Sequence, residues 1–441
     1  MEKNMKFIFR LVYTVFNLKM LNWINRIKRV VYSRWIAYEH FLQRYNKNNM
    51  NIAIVHTDFR IYWPARLHAL HALLVSKGHT LTVIEITGQG SDYAFHKEKA
   101  HDESYWRVLF PNDTPETLAP SIIRRALFKT LDGIMPDVVV AGAIAFPSGA
   151  ISTSWAKKRK KRIIIFDDSK KEDVERNGLV NYIKRCIYKN VDSVIYPAEE
   201  WLDTASFWEF RKEQVFCGLD VVDNDFWANN FNVKKPFYGA IVIVARLLSC
   251  KNVAAFINAY CSIKDTVTPM LHIIGDGPEK VSLQKLVKDN NADDKIKFHP
   301  FMTQEELRDV YHSAGAFVLC SWYETWGLVL NEAAACGCVL LASKRCGATK
   351  TLVKNNVNGF VFDPYSVENI ASAIRSYLLT SDEERKKMGM SSQKIVSEWG
   401  LEKFADTCLK ASEYVMSRDI RKPSFIESVI LRFWNGRYHT I

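Results

Sequence analysis

Two glutamates with seven residues between them, Glu324 and Glu332, frame the segment richest in chemistry, SWYETWGLVLNEAAACG at 321–337. Glu324 follows the apolar run GAFVLC and falls in a loop, and Gly327 begins an apolar helix that runs to a turn at Gly337. Unpaired amides at 327–329 face outward at such a helix start, where the backbone dipole favours phosphate oxygens. Glu332 lies about one and a half turns into the helix, among Leu330, Ala333, Ala334 and Ala335. An acid buried there is costly unless its oxygens accept hydrogen bonds, and the paired hydroxyls of a ribose would supply them. Glu324, nearer the loop, is placed to accept hydroxyls of a second sugar. The bland alternative is a helix-start acid and a solvated glutamate.

Three further pieces point the same way. In IVIVARLLSCKN, 241–252, a strand ends at Arg246 and Lys251 opens the next helix. Two cations beside a helix N-terminus suit a diphosphate, although cations at strand ends are common. GDGP at 275–278 follows LHII, and Gly275 and Gly277 permit close approach of a ligand or of a neighbouring helix; a purely structural turn fits as well. It is not GxGxxG, so the dinucleotide fingerprint is not met. RCGA, 345–348, and NGFVFDP, 358–364, read as a loop and a turn into another strand. Together the pieces converge on an anionic, sugar-bearing ligand.

The elements that must position them form two alternating series. The chain is 441 residues, enough for two domains of about 150–200 residues. Apolar residues make up 48% and charged residues 24%, which is globular usage. Short apolar runs at 51–55, 79–86, 137–141, 162–166 and 192–196 read as buried parallel strands, with a helix over 64–77. A boundary is expected near 226–237. A second series follows, with strands at 239–244, 270–274, 295–298, 315–320, 338–342 and 359–361. Helices fit near 251–262, 279–288, 304–313, 327–336 and 366–379, and a last one at about 400–416 returns across the join. The fold class is therefore α/β, with a first domain at 51–228, a second at 229–398, and extensions at 1–50 and 399–441. Two such sheets face one another across a cleft at the carboxyl ends of their strands.

The charge of +12 sits mostly at the ends. Residues 1–50 hold ten Lys/Arg against two Glu, and 417–441 hold five against two acids, leaving the body nearly neutral. That argues against nucleic acid, which needs a basic groove on the body. Residues 7–24 are interrupted by Arg10 and Lys19, too short a run for a span, and no signal-peptide cleavage site follows. Ile27, Val30, Trp35, Tyr38 and Phe41 share a helical arc among Arg26, Arg29 and Arg44; Phe425, Ile426, Val429, Ile430, Phe433 and Trp434 repeat the theme beside Arg432 and Arg437. Both compositions fit an interfacial helix on anionic lipid; helices packed on the body are the alternative. The Lys157–Arg162 cluster reads as a solvated corner. Nine Cys without CxxC indicate neither a disulfide scaffold nor a zinc site, hence a reducing compartment.

On Arg246 and Lys251, GDGP, the Glu324–Glu332 pair with its Trp-Gly-Leu, NGFVFDP, and GLDVVDNDFW at 218–227, the chain resembles a retaining nucleotide-sugar glycosyltransferase of family 4 with GT-B architecture. The match covers most of 214–380; over 51–213 it rests on strand order. The resemblance implies a UDP- or GDP-sugar donor on the C-terminal domain, a glycan or lipid-linked acceptor on the N-terminal one, and no cofactor or metal. It implies that Arg246 and Lys251 neutralise the diphosphate and that Glu324 holds the donor sugar. Gly275, Gly277, Thr325, Gly327, Leu328 and Val329 would line the nucleotide site, with Glu332 on the ribose. Retention is then by same-face attack, with no side-chain nucleophile. Two departures stand out: HTDFRIYWPAR, 56–66, replaces a glycine-rich loop, and GAIAFPSG lacks a histidine. His56, Arg60, Asp168, Asp173 and Arg176 are the acceptor-side candidates, although His56 is equally an ordinary strand-end histidine. The expected place of work is the cytosolic face of an anionic membrane, in surface-polysaccharide or glycolipid assembly. The competing readings are a soluble glycosyltransferase with a small acceptor, a GT-B epimerase or phosphorylase, and a catalytically silent scaffold.

Overall fold

The computed structural model describes residues 49–89, 103–229, 239–263 and 268–436. Contacts divide the chain into two units. In the described part of the smaller, the Met50 amide donates to His79 Nδ1 at 3.1 Å. The larger comprises Asn51–Ser76 and Thr80–Ile441.

Two parallel sheets form the larger unit. The first runs β1 (Asn51–His56), β2 (Thr80–Thr87), β3 (Trp106–Phe110), β4 (Val138–Ala141), β5 (Arg162–Phe166), β6 (Ser193–Tyr196) and β7 (Val215–Cys217), in the order β3-β2-β1-β4-β5-β6-β7. The second runs β8 (Ile241–Val244), β9 (Leu271–Ile274), β10 (Ile296–His299), β11 (Ala316–Leu319), β12 (Val339–Ser343) and β13 (Gly359–Phe362), in the order β10-β9-β8-β11-β12-β13. Strands such as Val138–Ala141 and Leu271–Ile274 are buried throughout because helices cover both faces, so they read as continuous apolar runs. Strand order reverses between β1 and β4, where Ile54 pairs with Val140, and again between β8 and β11, where Ile243 pairs with Val318. Loops leaving those strands line the crevice where open α/β sheets bind ligands.

The two domains share a core across their join. Trp201 of the first domain meets Trp326 of the second with ring centroids 5.9 Å apart, and both are buried. The segment 218–223 carries buried Leu219, Val221 and Val222 from one sheet towards the other. As expected, the helix Leu401–Met416 returns to the first domain, packing on the helix Trp63–Ser76 and on β4–β7. The helix Phe425–Phe433 then lies on the helices Pro147–Lys158 and Gly178–Tyr188. Its start is fixed by a capping box, Ser424 with Glu427. No helix among the described residues is long and apolar enough to cross a membrane, and all nine cysteines are free.

Several expectations change. Lys251 does not open a helix. It ends a 3-10 turn, Ser249–Lys251, and the helix Val253–Cys261 follows Asn252, whose φ is +57°. The Lys157–Arg162 cluster is solvated at Lys158, Arg159 and Lys160, but Lys157 is buried on Asp192 at 2.7 Å and Arg162 Nε donates to Val415 O at 2.6 Å. The strands β3 and β7 and the helix Asp382–Val396 were not anticipated. The N-terminal segments 7–24 and 27–42, most of the 226–237 boundary, and Arg437 lie outside the described residues.

Candidate functional site

At the carboxyl end of β8 the chain is pinned to the loop after β9. Ala245 N donates to Ile274 O at 3.1 Å, Leu247 N to Asp276 O at 2.8 Å, and Glu279 N to Leu247 O at 3.0 Å. This approach explains the GDGP glycines. A Cβ on Gly275 would sit 2.0 Å from Ala245 O and one on Gly277 2.6 Å from Leu247 O, and both have φ in the left-handed range, +137° and +153°. The partner of the turn is therefore the neighbouring loop, not a helix. Between these anchors Arg246 is exposed, beside a small cavity of about 50 Å³ that Gly275, Asp276, Phe301 and Met302 also line.

Lys251 forms an ion pair with Glu324, and their side chains are only 15% and 17% exposed. Ser321 Oγ donates to the same carboxylate at 3.3 Å. The Glu324 backbone is braced from behind. Gly347 N donates to Glu324 O at 3.1 Å and Ala348 N to Trp326 O at 3.0 Å, while a Cβ on Gly347 would strike Thr325 O at 1.8 Å. RCGA thus holds the glutamate loop, which its sequence alone did not reveal. Gly327, at φ +101°, turns the chain into the helix Leu328–Ala335, whose start carries no side-chain cap. Val329 and Leu328 are half-buried there.

Glu332 is 2% exposed. Its Oε1 accepts from Tyr62 Oη at 2.6 Å and its Oε2 from Tyr311 Oη at 3.1 Å. Burial pushes its carboxyl up to about 7 against the pull of both hydroxyls. Tyr62 belongs to the loop after β1, so this bond crosses from one domain to the other.

A second crossing bond involves Asp168, in the loop after β5: Thr325 Oγ1 donates to its Oδ2 at 3.0 Å, and Trp201 Nε1 donates to its carbonyl at 2.9 Å. Burial, then the nearby Asp220 and Asp167, raise the Asp168 carboxyl to about 7. Asp220 rises to about 6 through burial, opposed by Arg66 at 3.6 Å. Arg66 is itself buried and donates twice to Val221 O, at 2.9 and 2.7 Å.

The remaining acceptor-side candidates divide. His56 ends β1 within an aromatic ring of Phe59, Trp63 and Phe166, at 5.6, 5.6 and 5.1 Å, and burial lowers its imidazole to about 4. Arg60 donates to Gly88 O at 2.7 Å. Asp173 and Arg176 mainly fold their own loop. Asp173 accepts from Lys170 N at 2.5 Å, and Arg176 donates to the carbonyls of Lys171 and Val174, both at 3.1 Å. Arg176 lines a separate cavity of about 370 Å³ with Lys171, Asn181 and Phe207.

Residues 222–395 match the family model described as "Glycosyl transferases group 1". A glycosyltransferase structure from Rickettsia africae covers 84% of this chain and 100% of its own with a TM-score of 0.65 at 14% identity. The Anabaena protein HepE in complex with UDP covers the same shares with a TM-score of 0.64 at 14% identity. The second domain thus matches the glycosyl transferases group 1, and the chain has the GT-B fold. Among curated proteins, the poly(glycerol-phosphate) alpha-glucosyltransferase of Bacillus subtilis is 22% identical over 241 residues, 54% of this chain and 35% of that one. The chain thus spans about a third of that relative's length.

In this GT-B chain the donor-side candidates Lys251, Glu324, Thr325 and Gly327 come together at the β8 and β11 ends. Arg246 stands on the outer loop beside them. Sequence reasoning missed Tyr62, Tyr311, Arg66 and Asp220. The only signal for Tyr62 was that its loop is aromatic where relatives are glycine-rich. Among the described residues, no three His, Cys, Asp or Glu side chains are grouped to hold a metal ion.

Proposed function

We propose that the chain transfers a sugar, with retention, from a UDP- or GDP-sugar to a glycan or lipid-linked acceptor. The observation that carries this is the ion pair of Lys251 with Glu324, held by the Gly347 brace beside the uncapped helix start at Leu328. Lys251 and Arg246 face the diphosphate, whose oxygens take the amides of Gly327, Leu328 and Val329. Glu324 accepts hydroxyls of the donor sugar, and Glu332 those of the ribose. The bond between the sugar C1 and the diphosphate breaks, the acceptor oxygen bonds C1 on the same face, and its proton passes to a leaving phosphate oxygen. Asp168 and His56 flank the acceptor. HepE, whose structures are described with UDP and with UDP-glucose, supports a uridine donor as the first to test.

The same proposal places the enzyme on the cytosolic face of an anionic membrane. The helix Phe425–Phe433 supports this because it is apolar on opposite sides. Leu431 and Ile430 pack inward, whereas Phe425, Ile426, Val429 and Phe433 are exposed beside Arg432.

Calorimetric titration with UDP-, GDP-, ADP- and dTDP-sugars tests the donor site. One nucleotide class is expected to bind at micromolar concentration, and Glu332→Ala to weaken it about tenfold, near 1.4 kcal/mol. Silence from every compound on folded protein with phospholipid present rejects the reading and favours a scaffold. Cosedimentation with phosphatidylglycerol vesicles, but not with neutral ones, tests the membrane site. Failure to pellet favours a soluble enzyme with a small acceptor.

A further inference from the structure

Tyr62 stands where the proposed donor has to lie. Its hydroxyl fills one oxygen of Glu332 at 2.6 Å, and Glu324 and Arg66 lie within electrostatic range of the same group. The ring therefore reaches the buried glutamate of the pair from the other domain. Tyr311, which fills the other oxygen, sits on the helix Gln304–Ser313 of the donor domain itself. Tyr62 instead arrives from the opposite domain, so its bond lasts only while that loop stays in.

The loop is held in against its own preference. Ile61, next to Tyr62, has φ +57°, a left-handed conformation that β-branched side chains resist. Its side chain is 39% exposed, so burial compensates only in part. Strain of this kind persists where surrounding contacts over-determine the backbone, and it clusters at sites that switch. Here the contacts include Phe59 N to Glu85 Oε1 at 3.0 Å, Arg60 to Gly88 O at 2.7 Å, Trp63 N to Arg60 O at 3.2 Å, and the bond of Tyr62 to Glu332.

We propose that Tyr62 is a place-holder for the donor nucleoside. It satisfies Glu332 until a ribose hydroxyl displaces it, and its departure relaxes the strained turn at Ile61 on the acceptor side, so the donor binds before the acceptor. The inference rests on reading Glu332 as the ribose contact. A nucleotide that must first displace Tyr62 binds with an affinity reduced by the fraction of protein in which Tyr62 is already out. Removing the hydroxyl raises that fraction, and relaxing Ile61 lowers it.

The test is calorimetry of the full-length protein with UDP and with GDP. Tyr62→Phe is expected to tighten the binding nucleotide at least threefold. Ile61→Asn, which accepts the left-handed backbone, is expected to weaken it by a similar factor. In a Glu332→Ala background, Tyr62→Phe is expected to change nothing further. Circular dichroism checks that each variant is folded; should Tyr62→Phe fail to fold, the sign of the Ile61→Asn effect still decides. A parent that binds nucleotide, with Tyr62→Phe unchanged or weaker or with Ile61→Asn tighter, overturns the place-holder alone. A folded parent that binds neither nucleotide overturns the donor-site reading and this inference with it.

Discussion

The two places where strand order reverses are built from different materials. At β8 and β11, backbone bonds and close-packed glycines fix the loops, and cations stand on them: Arg246, and Lys251 paired with Glu324. Across the first sheet, Phe59, Trp63 and Phe166 surround His56, which burial lowers to about 4, and after β5 burial raises Asp168 to about 7. Fixed cations on a rigid backbone suit a ligand part that is always anionic. Aromatic faces with neutralised polar groups suit one that is neutral and rich in hydroxyls.

Lys251→Met set against Asp168→Asn is the sharpest way to break that contrast. With the matching sugar nucleotide, Lys251→Met is expected to lower release of nucleoside diphosphate by about 10²–10³-fold, the scale for losing a preorganised charge at a leaving group. Asp168→Asn should leave nucleotide affinity within about threefold, because its contact with the donor loop is one neutral bond from Thr325, worth about 1 kcal/mol or less. Losses of equal size in both variants would mean that the leaving diphosphate is shared between the domains.

Rigidity gives the next comparison. Gly347→Ala drives a Cβ to within 1.8 Å of Thr325 O, a backbone atom that cannot move without dragging Glu324. About 2–3 kcal/mol of stability should be lost, read from the urea midpoint. Gly142→Ala meets His56 Nδ1 at 2.6 Å and Ser148 Oγ at 3.0 Å, side-chain atoms that can yield, and about 1 kcal/mol is expected. A reversed order would put the stiffer loop on the acceptor side.

Legibility in the sequence divides along the same line. The core of the proposed donor site is local: Glu324, Gly327 and Glu332 lie on one loop and one helix, and spacing alone groups them. The two strand series were readable because buried parallel strands form unbroken apolar runs. The edge strands β3 and β7 were not, since VFC is only 3 residues long and Arg107 interrupts WRVLF. The helix Asp382–Val396 is mostly polar, and its one plain sign was the capping box of Ser381 with Glu384. The bonds across the cleft were beyond reach. Tyr62 and Glu332 are 270 positions apart, and Asp168 and Thr325 are 157 apart; no period or motif links them. Asp173 and Arg176 illustrate the opposite error: a charged cluster with a motif-like look spends its polar atoms chiefly on its own turn.

The smallest effect concerns pH. In the folded chain Asp168 keeps its proton up to about 7, because burial, Asp220 and Asp167 disfavour the carboxylate more than the Thr325 hydroxyl supports it. Unfolded, it ionises near its ordinary value of about 3.9. Between those values the folded state binds more protons than the unfolded one, so stability falls as pH rises through the window and the full penalty stands above about pH 7. Asp168→Asn retains an acceptor for Thr325 and carries no such penalty. Its melting temperature should match the parent near pH 4 and exceed it by about 2–4 °C at pH 8, equivalent to about 1 kcal/mol. An equal difference at both pH values would remove Asp168 from the titration. A variant less stable than the parent at pH 8 would show that this acid is stabilised as a carboxylate, by Arg66 of the same domain, and would erase the contrast with the Lys251–Glu324 side at Asp168.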